Sequence, residues 1–259
     1  MKPKLSIVKI GGNIIENESA LSDFLRDFAV MEGQKILVHG GGRTATRIAE
    51  QLGVPAKMVG GRRITTRETL DVIVMVYGGL ANKNIVSRLQ SFDCNAIGLS
   101  GADGNIIISD KRPVKDIDYG FAGDIRQVNA TTIKALLESG MTPVCCAITH
   151  NKKGQLLNTN ADTITSEVAI AMSEHFETSL YYCFEKKGVL RSVEDDNSVI
   201  EHINTEKYEQ LLQENVISDG MLPKMHNCFN ALQRHVHRVY IGLPGMIAGK
   251  EKLFTTLTL

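Results

Sequence analysis

Short apolar runs that end in glycine carry the residues of this chain best suited to chemistry. Lys9 lies inside the first such run, residues 5–10, and Gly11 and Gly12 follow it directly. A buried lysine costs free energy unless an anion meets it. Glycine leaves backbone N–H groups open to phosphate or carboxylate. The pattern predicts an anion site at this strand end; the alternative is an edge strand with Lys9 on its solvent face.

Two more glycine clusters follow apolar runs further along the chain. Gly40-Gly41-Gly42 comes after residues 35–39, and a second cluster at residues 100–104 comes after residues 96–99. If these runs are parallel strands, their carboxyl ends meet at one edge of the sheet, where ligands bind in open α/β folds. All three clusters could therefore line one crevice. Ordinary tight turns are the alternative, although three consecutive glycines cost more backbone entropy than a turn requires.

Two amides and a carboxylate alternate in the segment Asn158-Thr159-Asn160-Ala161-Asp162. In an extended chain, Asn158, Asn160 and Asp162 share one side. There they could bind an amide or carboxylate of a ligand and orient a lysine. The alternative is helix capping, which would account for one of the three residues.

A second lysine, Lys224, closes a segment that begins at Asp219. Pro223 suits the first turn of a helix, so Lys224 would lie at a helix N-terminus, where its charge opposes the helix dipole. That placement is unfavourable unless an anion lies there. Arg62 and Arg63 offer a guanidinium to a carboxylate, although a solvated surface charge is the ordinary alternative for either arginine.

Composition and charge exclude several function classes. The 259 residues include 29 Lys and Arg and 29 Asp and Glu, so the formal net charge is zero. Nucleic-acid binding by general electrostatics, or attraction to anionic membranes, would need a basic excess. No apolar run approaches the roughly 20 residues of a membrane helix, and residues 1–9 lack the apolar region of a secretory signal. Five cysteines without CxxC spacing predict free thiols in a reducing cytoplasm.

Motifs of several familiar phosphate and metal sites are missing from the sequence. There is no GxxxxGK[ST], no GxGxxG after the first strand, no HRD or DFG set of a protein kinase, and neither HExxH nor GxSxG. His235 and His237 form an HxH pair among basic residues at the end of a predicted helix. We expect this pair not to hold a metal, so the sequence predicts no metal site.

Apolar periodicity alternates between strands and helices along the chain. Residues 105–128 lack a helical period and predict a β-rich insertion, whereas the repeated strand–glycine–helix units predict parallel strands with crossover helices. Strands are predicted at 5–10, 35–39, 96–99, 142–148, 179–184 and 239–242, and helices at 19–31, 44–52, 70–92, 131–139, 162–173, 205–213 and 223–237.

Local signals predict where some helices begin or break. Ser19 or Ser22 would cap the first long helix, and Thr65 would open a capping box before the third. The helix at 70–92 is expected to break or pack closely at Gly78-Gly79.

Taken together, these segments resemble the amino acid kinase family, and within it most closely the branch that phosphorylates N-acetyl-L-glutamate in arginine biosynthesis. They follow the family's order over residues 5–225, and the ordered set is specific although each segment is short. The segments are Val8-Lys9-Ile10-Gly11-Gly12, Val38-His39-Gly40-Gly41-Gly42, Gly60-Gly61-Arg62-Arg63-Ile64-Thr65, Ala81-Asn82-Lys83, Gly98-Leu99-Ser100-Gly101-Ala102-Asp103-Gly104, Gly120-Phe121-Ala122-Gly123-Asp124-Ile125, Asn158-Thr159-Asn160-Ala161-Asp162 and Asp219-Gly220-Met221-Leu222-Pro223-Lys224.

The resemblance implies an α/β fold, a three-layer αβα sandwich with a mainly parallel central sheet. It implies an N-terminal lobe over residues 1–175 for acylglutamate binding and dimerisation, and a C-terminal lobe over residues 176–259 for ATP binding. The implied roles are catalysis for Lys9, Lys224 and Asp162, acylglutamate binding for Gly41, Gly42, Arg63, Asn158 and Asn160, and ATP binding for Gly11, Gly12, Glu185, Gly188 and Lys224.

The implied reaction transfers a phosphoryl group from ATP to the γ-carboxylate of an N-acylated glutamate. Lys9 and Lys224 would neutralise charge on that group from two sides, while Asp162 holds both lysines. A carboxylate acceptor is ionised at neutral pH and needs no general base. Mg²⁺ would arrive with ATP, held mainly by phosphate and water. The implied partners are ATP and the acylglutamate, in a cytoplasmic homodimer that binds neither nucleic acid nor membrane.

The chain departs from the family's pattern at three points, one of which is the tail at residues 244–259, where the usual glycine-threonine ending is missing. The turn usually written Thr/Ser-Asp-Val-x-Gly-Val reads Phe184-Glu185-Lys186-Lys187-Gly188-Val189. The N-terminal helix that joins arginine-inhibited relatives into hexamers is missing, so we expect neither arginine feedback nor a hexamer. Three alternatives stay open: an N-succinyl acyl group, a family kinase acting on aspartate, glutamate, carbamate or UMP, and a non-catalytic sensor, against which the two lysines argue.

Overall fold

A computed structural model describes residues 2–192, 194–217 and 221–259. Asp219 and Gly220 of the Lys224 segment therefore lie outside the described residues. The strands are β1 Lys4–Ile10, β2 Gln34–His39, β3 Lys57–Val59, β4 Arg62–Ile64, β5 Ala96–Leu99, β6 Ile107–Lys111, β7 Gly123–Val128, β8 Thr142–Cys146, β9 Ile148–His150, β10 Leu156–Asn158, β11 Glu177–Cys183, β12 His202–Ile203, β13 Arg238–Gly242 and β14 Thr255–Leu257. The α-helices are α1 Gly12–Glu16, α2 Glu18–Ala29, α3 Gly42–Gln51, α4 Arg67–Ile73, α5 Asn82–Gln90, α6 Ala130–Glu138, α7 Ala161–Met172, α8 Thr205–Gln213 and α9 Leu222–Gln233, and a π-helical segment, Val74–Ala81, joins α4 to α5.

An eight-stranded sheet organises the molecule, in the order β12-β14-β13-β11-β1-β2-β8-β5. Its strand pairs are parallel except for β13 with β14. The predicted, mainly parallel sheet is confirmed. Strand β1 lies in the interior of the sheet, where Lys9 is flanked by Tyr182 of β11 and Val38 of β2. The alternative that placed Lys9 on an edge strand is therefore wrong.

Helices cover both faces of this sheet, because successive side chains of each buried strand point to opposite faces. Ile7 of β1 belongs to one apolar cluster and Val8 to the other. Helices α6, α7 and α9 contribute to the first cluster, and α2 and α5 to the second. The expected three-layer αβα sandwich is confirmed. One sheet joins the two halves of the chain, and the lobe boundary at residue 175 stays a prediction.

A smaller β-structure covers the carboxyl edge of the main sheet. Strands β10-β9-β6-β7 form a four-stranded sheet, and β3 with β4 forms a hairpin. The predicted β-rich insertion is confirmed, but the hairpin was not predicted, since its strands have only three residues each and carry no apolar alternation. The strand expected at 142–148 is interrupted at Ala147, whose carbonyl accepts a hydrogen bond from the Thr159 amide instead of pairing within the strand.

The sequence predicted either a break or close packing at Gly78-Gly79 in the long helix after residue 66. The helix does not break there, and a Cβ would make only an ordinary contact with Ile148 at Gly78 and none at Gly79. It passes through the π-helical segment, and its buried residues come in adjacent pairs: Val72 with Ile73, Val76 with Tyr77, and Ala81 with Asn82. The first two pairs are four residues apart, as in an α-helix, and the last two are five apart, as a π-turn requires. The extra residue keeps both later pairs facing the core.

Two predicted helix caps are each displaced by a few residues. The side chain that caps α2 is Asn17, which accepts a hydrogen bond from the Ala20 amide, so Ser19 and Ser22 lie within the helix. Thr66, not Thr65, caps α4. Thr65 is instead buried, and its backbone pairs with the segment around Gly120.

Gly120 secures the insertion to the hairpin side of the molecule. A side chain there would overlap the Thr65 carbonyl oxygen, and the backbone has a φ of +65°. Gly154 has a similar φ of +83° but open space around it.

We predict that Gly154→Ala lowers the free energy of unfolding by about 1–2 kcal/mol. Gly120→Ala should lower it by roughly 2–4 kcal/mol, because a side chain at Gly120 also collides with Thr65. Urea unfolding of both variants checks this; equal losses would show that the Thr65 contact is unimportant.

Candidate active site

Three charged side chains meet at the carboxyl edge of the main sheet. The Asp162 carboxylate lies 2.9 Å from Lys9 Nζ through Oδ1, and 3.9 Å from Lys224 Nζ through Oδ2. Lys9 comes from the end of β1, Asp162 from the first turn of α7 and Lys224 from the first turn of α9. The structure therefore brings together the three residues to which the family resemblance assigned catalysis.

Local hydrogen bonds fix the position of Asp162. Asn160 is the N-cap of α7, and its Oδ1 accepts hydrogen bonds from the amides of Asp162, at 2.8 Å, and Thr163, at 3.1 Å. The Tyr182 hydroxyl donates to the Asp162 carbonyl oxygen at 3.2 Å. The alternation argument assumed that residues 158–162 are extended throughout. They are not, because α7 begins at Ala161.

Two ammonium groups share one carboxylate at this point. Burial alone would raise the pKa of Asp162, but the charges of Lys9 and Lys224 hold that pKa below its usual value of 3.8. Burial lowers the pKa of Lys224, and Asp162 opposes this change. Lys224 Nζ also lies 4.6 Å from the centre of the Phe184 ring. Because one carboxylate cannot neutralise two lysines, the cluster is suited to receive a further anion.

A cavity of about 250 Å³ opens beside the charged cluster. We call it the Arg63 cavity. It contains four of the five residues predicted to bind the acid, and the fifth, Gly41, lies between two glycines of the lining. The lining residues are Gly40, Gly42, Met58, Gly61, Arg62, Arg63, Tyr77, Arg112, Tyr119, Ala122, Gly123, Ala147, Asn158, Thr159, Asn160, Ala161 and Thr163.

Arg63 enters this cavity with half of its guanidinium uncommitted. Its Nη2 donates to the Gly42 carbonyl oxygen at 3.0 Å and to Thr46 Oγ1 at 2.6 Å. Its Nη1 is buried and has no hydrogen-bond partner among the described residues. A buried donor of a charged group without a partner is costly, and a ligand carboxylate would satisfy it.

The glycine loop after β2 is held from beneath by a buried histidine. His39 is fully buried, and burial lowers its pKa to about 4, so the ring is neutral at physiological pH. Its Nδ1 donates to the Gly40 carbonyl oxygen at 2.7 Å, and its Nε2 accepts from Asn82 Nδ2 at 3.0 Å. Asn82 Nδ2 also donates to the Val144 carbonyl oxygen. The loop that ends in Gly42 is therefore tied to both β8 and α5.

The glycines predicted to bind ligands are glycine for different reasons. Gly41 needs to be glycine, because its φ is +151° and a Cβ there would lie 3.0 Å from the Tyr77 ring. Gly11 and Gly12 have negative φ and no close neighbour, so the fold itself would admit a side chain at either position. A ligand that approaches the backbone would explain both glycines.

Two of the residues predicted to bind ATP lie in a turn with a clear packing role. Gly188 is buried, and a side chain there would collide with Thr255 of strand β14. Glu185 is exposed, and the following Lys186 and Lys187 reach away to Asp196 and Asn197, at 2.7 Å each. The structure explains Gly188 without a nucleotide, and a nucleotide contact by either residue stays a prediction.

The third glycine cluster does not reach the Arg63 cavity. Residues 100–104 follow β5 at the far edge of the sheet, and Ser100 and Asp103 line a separate hollow with Asn82 and Lys83. A side chain at Gly101 would collide with the Ile107 carbonyl oxygen. The expectation of one crevice lined by all three clusters is wrong for this loop, whose glycine is required by packing.

Comparison with known proteins decides the family. The sequence pattern described as "Amino acid kinase family" matches residues 4–242. The chain belongs to the amino acid kinase family. Among its relatives, a protein of Phocaeicola vulgatus named "Acetylglutamate kinase" is 55% identical, and the match covers 95% of this chain and 96% of that protein. One of the same name from Cytophaga hutchinsonii is 56% identical over 92% of this chain and 90% of its own.

The fold of this kinase also matches solved structures. A Streptococcus mutans protein, smu.665, is similar with a TM-score of 0.78 and 26% identity, and the match covers 98% of each chain. Within the described residues, no helix combines the length and apolar character needed to span a membrane, and no three His, Cys, Asp or Glu side chains are grouped as metal ligands.

Among the cavity residues that were not singled out from the sequence, three are aromatic or charged. Tyr77 lies in the π-helical segment, and Arg112 and Tyr119 lie in the insertion. Arg112 forms a two-pronged ion pair with Asp124 and faces the Tyr119 ring. The family segment that contains Asp124 was recognised, but its pairing with β6 could not be read from a stretch without clear periodicity.

The charged cluster predicts a pH dependence of stability. Because Asp162 has a lower pKa folded than unfolded, its carboxylate stabilises the fold at neutral pH, and this contribution is lost as the pH falls through the folded-state pKa. We predict that Asp162→Asn lowers the free energy of unfolding by about 1–3 kcal/mol at neutral pH, and that the difference from wild type shrinks below pH 3.8. Urea unfolding across the acid range measures both.

A matched control for this prediction is Asp196→Asn. Asp196 pairs with Lys186 at 2.7 Å, but both side chains are largely exposed, so the surrounding water screens the pair. Its replacement should change stability little at any pH. If the Asp162 variant matched wild type at neutral pH, the charged cluster would carry no folding free energy.

Proposed function

We propose that this chain transfers the γ-phosphoryl group of ATP to the γ-carboxylate of N-acetyl-L-glutamate, yielding an acyl phosphate in arginine biosynthesis. The observation that carries the proposal is the Lys9–Asp162–Lys224 cluster beside a cavity with an unpartnered Arg63 Nη1. Membership of a kinase family supports phosphoryl transfer from ATP. The names of relatives more than half identical to this chain support the acceptor.

Phosphoryl transfer to a carboxylate mainly requires that the reactants are positioned and that positive charge lies next to the transferred group. An oxygen of the acceptor carboxylate attacks the γ-phosphorus, the bond to the β–γ bridging oxygen breaks, and ADP leaves with that electron pair. Carboxylates are ionised at neutral pH, so the acceptor needs no general base. Negative charge spreads over the three equatorial oxygens of the transferred group. A cluster of lysines, amides and backbone N–H groups meets that demand.

Each residue of the cluster takes a definite part in this proposal. Lys9 of β1 and Lys224 of α9 approach the transferred phosphoryl group from two sides and neutralise its charge. Asp162 keeps both ammonium groups in place, and Tyr182 and Asn160 keep Asp162 in place. Asp162 does not act as a base, since its pKa is held low.

The acceptor and the nucleotide would lie on opposite sides of the cluster. On the acceptor side, Arg63 would bind the carboxylate that is not phosphorylated, with Asn158, Asn160 and the backbone of Gly41 and Gly42 completing the contacts. On the other side, Gly11 and Gly12 would offer N–H groups to the ATP phosphates, and Glu185 and Gly188 would lie near the nucleoside. We treat Mg²⁺ as part of the MgATP substrate, held by phosphate oxygens and water.

The lobe roles and the assembly state are part of the same proposal. Residues 1–175 would bind the acylglutamate and residues 176–259 the nucleotide. We propose a homodimer paired through the first lobe, which the exposed side chains of Met75 and Leu80 on the π-helical segment support. The five buried free thiols agree with a reducing cytoplasm.

Lys224 tests the catalytic part of the proposal. We predict that Lys224→Ala lowers kcat at least about 100-fold, because its charge is used mainly in the transition state, and changes the KM for the acid less than about threefold. Steady-state kinetics of this variant measure both, with Lys207→Ala as control, because Lys207 lies on α8 and its Nζ donates to Gln210. A near-normal kcat would remove Lys224 from the mechanism.

The acceptor is tested by trapping the acyl phosphate with hydroxylamine in the presence of MgATP. N-acetyl-L-glutamate, N-succinyl-L-glutamate, L-glutamate and L-aspartate are compared in parallel, and carbamate and UMP by ADP release. We expect hydroxamate from N-acetyl-L-glutamate. Turnover of the succinyl compound instead would change the acyl group, and turnover only of an unacylated acceptor would overturn the acceptor assignment while leaving a kinase of the same family.

A further inference from the structure

Tyr77 is a buried aromatic residue of the Arg63 cavity that has no part in the mechanism above. It is 5% exposed, and it projects from the middle of the π-helical segment Val74–Ala81. It lines the cavity together with Arg63 and Asn158. A side chain that is at once part of the core and part of the cavity wall is well placed to set the shape of a bound ligand.

The ring of Tyr77 packs directly on the glycine loop. Its Cδ1 and Cε1 atoms lie 3.0 Å and 3.2 Å from the position that a Cβ would take at Gly41. The loop can pass so close to the ring only because Gly41 has no side chain. The ring therefore packs against one side of the loop.

The hydroxyl of Tyr77 and the guanidinium of Arg63 converge on Gly42. The hydroxyl lies 3.7 Å from the position of a Cβ at Gly42, and Arg63 Nη2 lies 3.0 Å from the Gly42 carbonyl oxygen. Burial raises the pKa of Tyr77, and the charge of Arg63 and a hydrogen bond with its guanidinium only partly offset that rise, so the phenol keeps its proton at neutral pH. The hydroxyl thus lies within reach of the guanidinium, and its own proton is available to a ligand that also meets the buried Nη1.

We propose that Tyr77 is a specificity-determining residue, whose hydroxyl donates a hydrogen bond to the same carboxylate of the acceptor acid that Arg63 Nη1 binds. That carboxylate is the one that is not phosphorylated. The inference rests on the proposed function, since it assumes an acceptor with two carboxylates. One charged and one neutral donor then satisfy two oxygens of one planar group.

The Tyr77→Phe variant removes the hydroxyl and keeps the ring against Gly41. We expect the KM for N-acetyl-L-glutamate to rise about 3- to 10-fold, the typical cost of one lost hydrogen bond, with kcat and the KM for ATP unchanged. Tyr208→Phe is the matched control, because Tyr208 stacks on Phe229, at 4.4 Å between ring centres, far from the cavity lining. Thermal unfolding of both variants checks that they fold.

A double-mutant cycle with Arg63→Lys tests whether both donors bind one carboxylate. If they do, the combined change in kcat/KM is not the product of the separate changes. Wild-type kinetics for Tyr77→Phe, a fall in kcat in place of a rise in KM, or independent effects in the cycle would each overturn the inference. If wild-type protein turns over no acylglutamate, the proposed function fails instead, which separates the two results.

Discussion

The ion cluster of Asp162 with Lys9 and Lys224 is the interaction around which the rest of the molecule is organised. The ammonium groups of Lys9 and Lys224 would repel each other if the Asp162 carboxylate did not contact both of them. Each of the three comes from a different element, so the cluster also fastens β1, α7 and α9 together. Two lysines and one carboxylate leave the cluster with one surplus positive charge. A kinase that forms an acyl phosphate needs such a charge to bind the phosphoryl group that is transferred.

A second constraint acts on the acid side, where the backbone does most of the positioning. The loop Gly40-Gly41-Gly42 is held from below by His39 and Asn82 and from the side by Tyr77. Arg63 closes the arrangement by donating to the Gly42 carbonyl oxygen. Such a loop is rigid although it is made of glycine, because every neighbour is packed against it. The flexibility that glycine confers on an unfolded chain is absent here.

Some of this could be predicted from sequence and some could not. The parallel strands and the glycine turns at their carboxyl ends followed from local runs, because parallel strands bring those ends to one edge. The meeting of Lys9 and Lys224 with Asp162 was implied by the resemblance to the amino acid kinase family. The place of Tyr77 did not follow, since its helix contains one residue more than α-helical periodicity allows. The packing role of Gly188 depends on Thr255, which is distant in sequence. Arg112 pairs with Asp124 across a β-pairing that no local pattern indicates. Local patterns in one sequence do not predict which side chains from distant segments come into contact.

The π-helical segment adds one residue to the turn that separates Tyr77 from Asn82. A π-turn holds one residue more than an α-turn, so a chain one residue shorter between Tyr77 and Ala81 would close this turn as an α-helix. The two later buried pairs would then be four residues apart, as the first two are, and Asn82 would still face His39. In the regular helices α4 and α5, by contrast, each residue lost or gained turns the remainder of the helix by about 100°. During evolution, changes of length should therefore be accepted in the π-helical segment more readily than in the helices on either side of it.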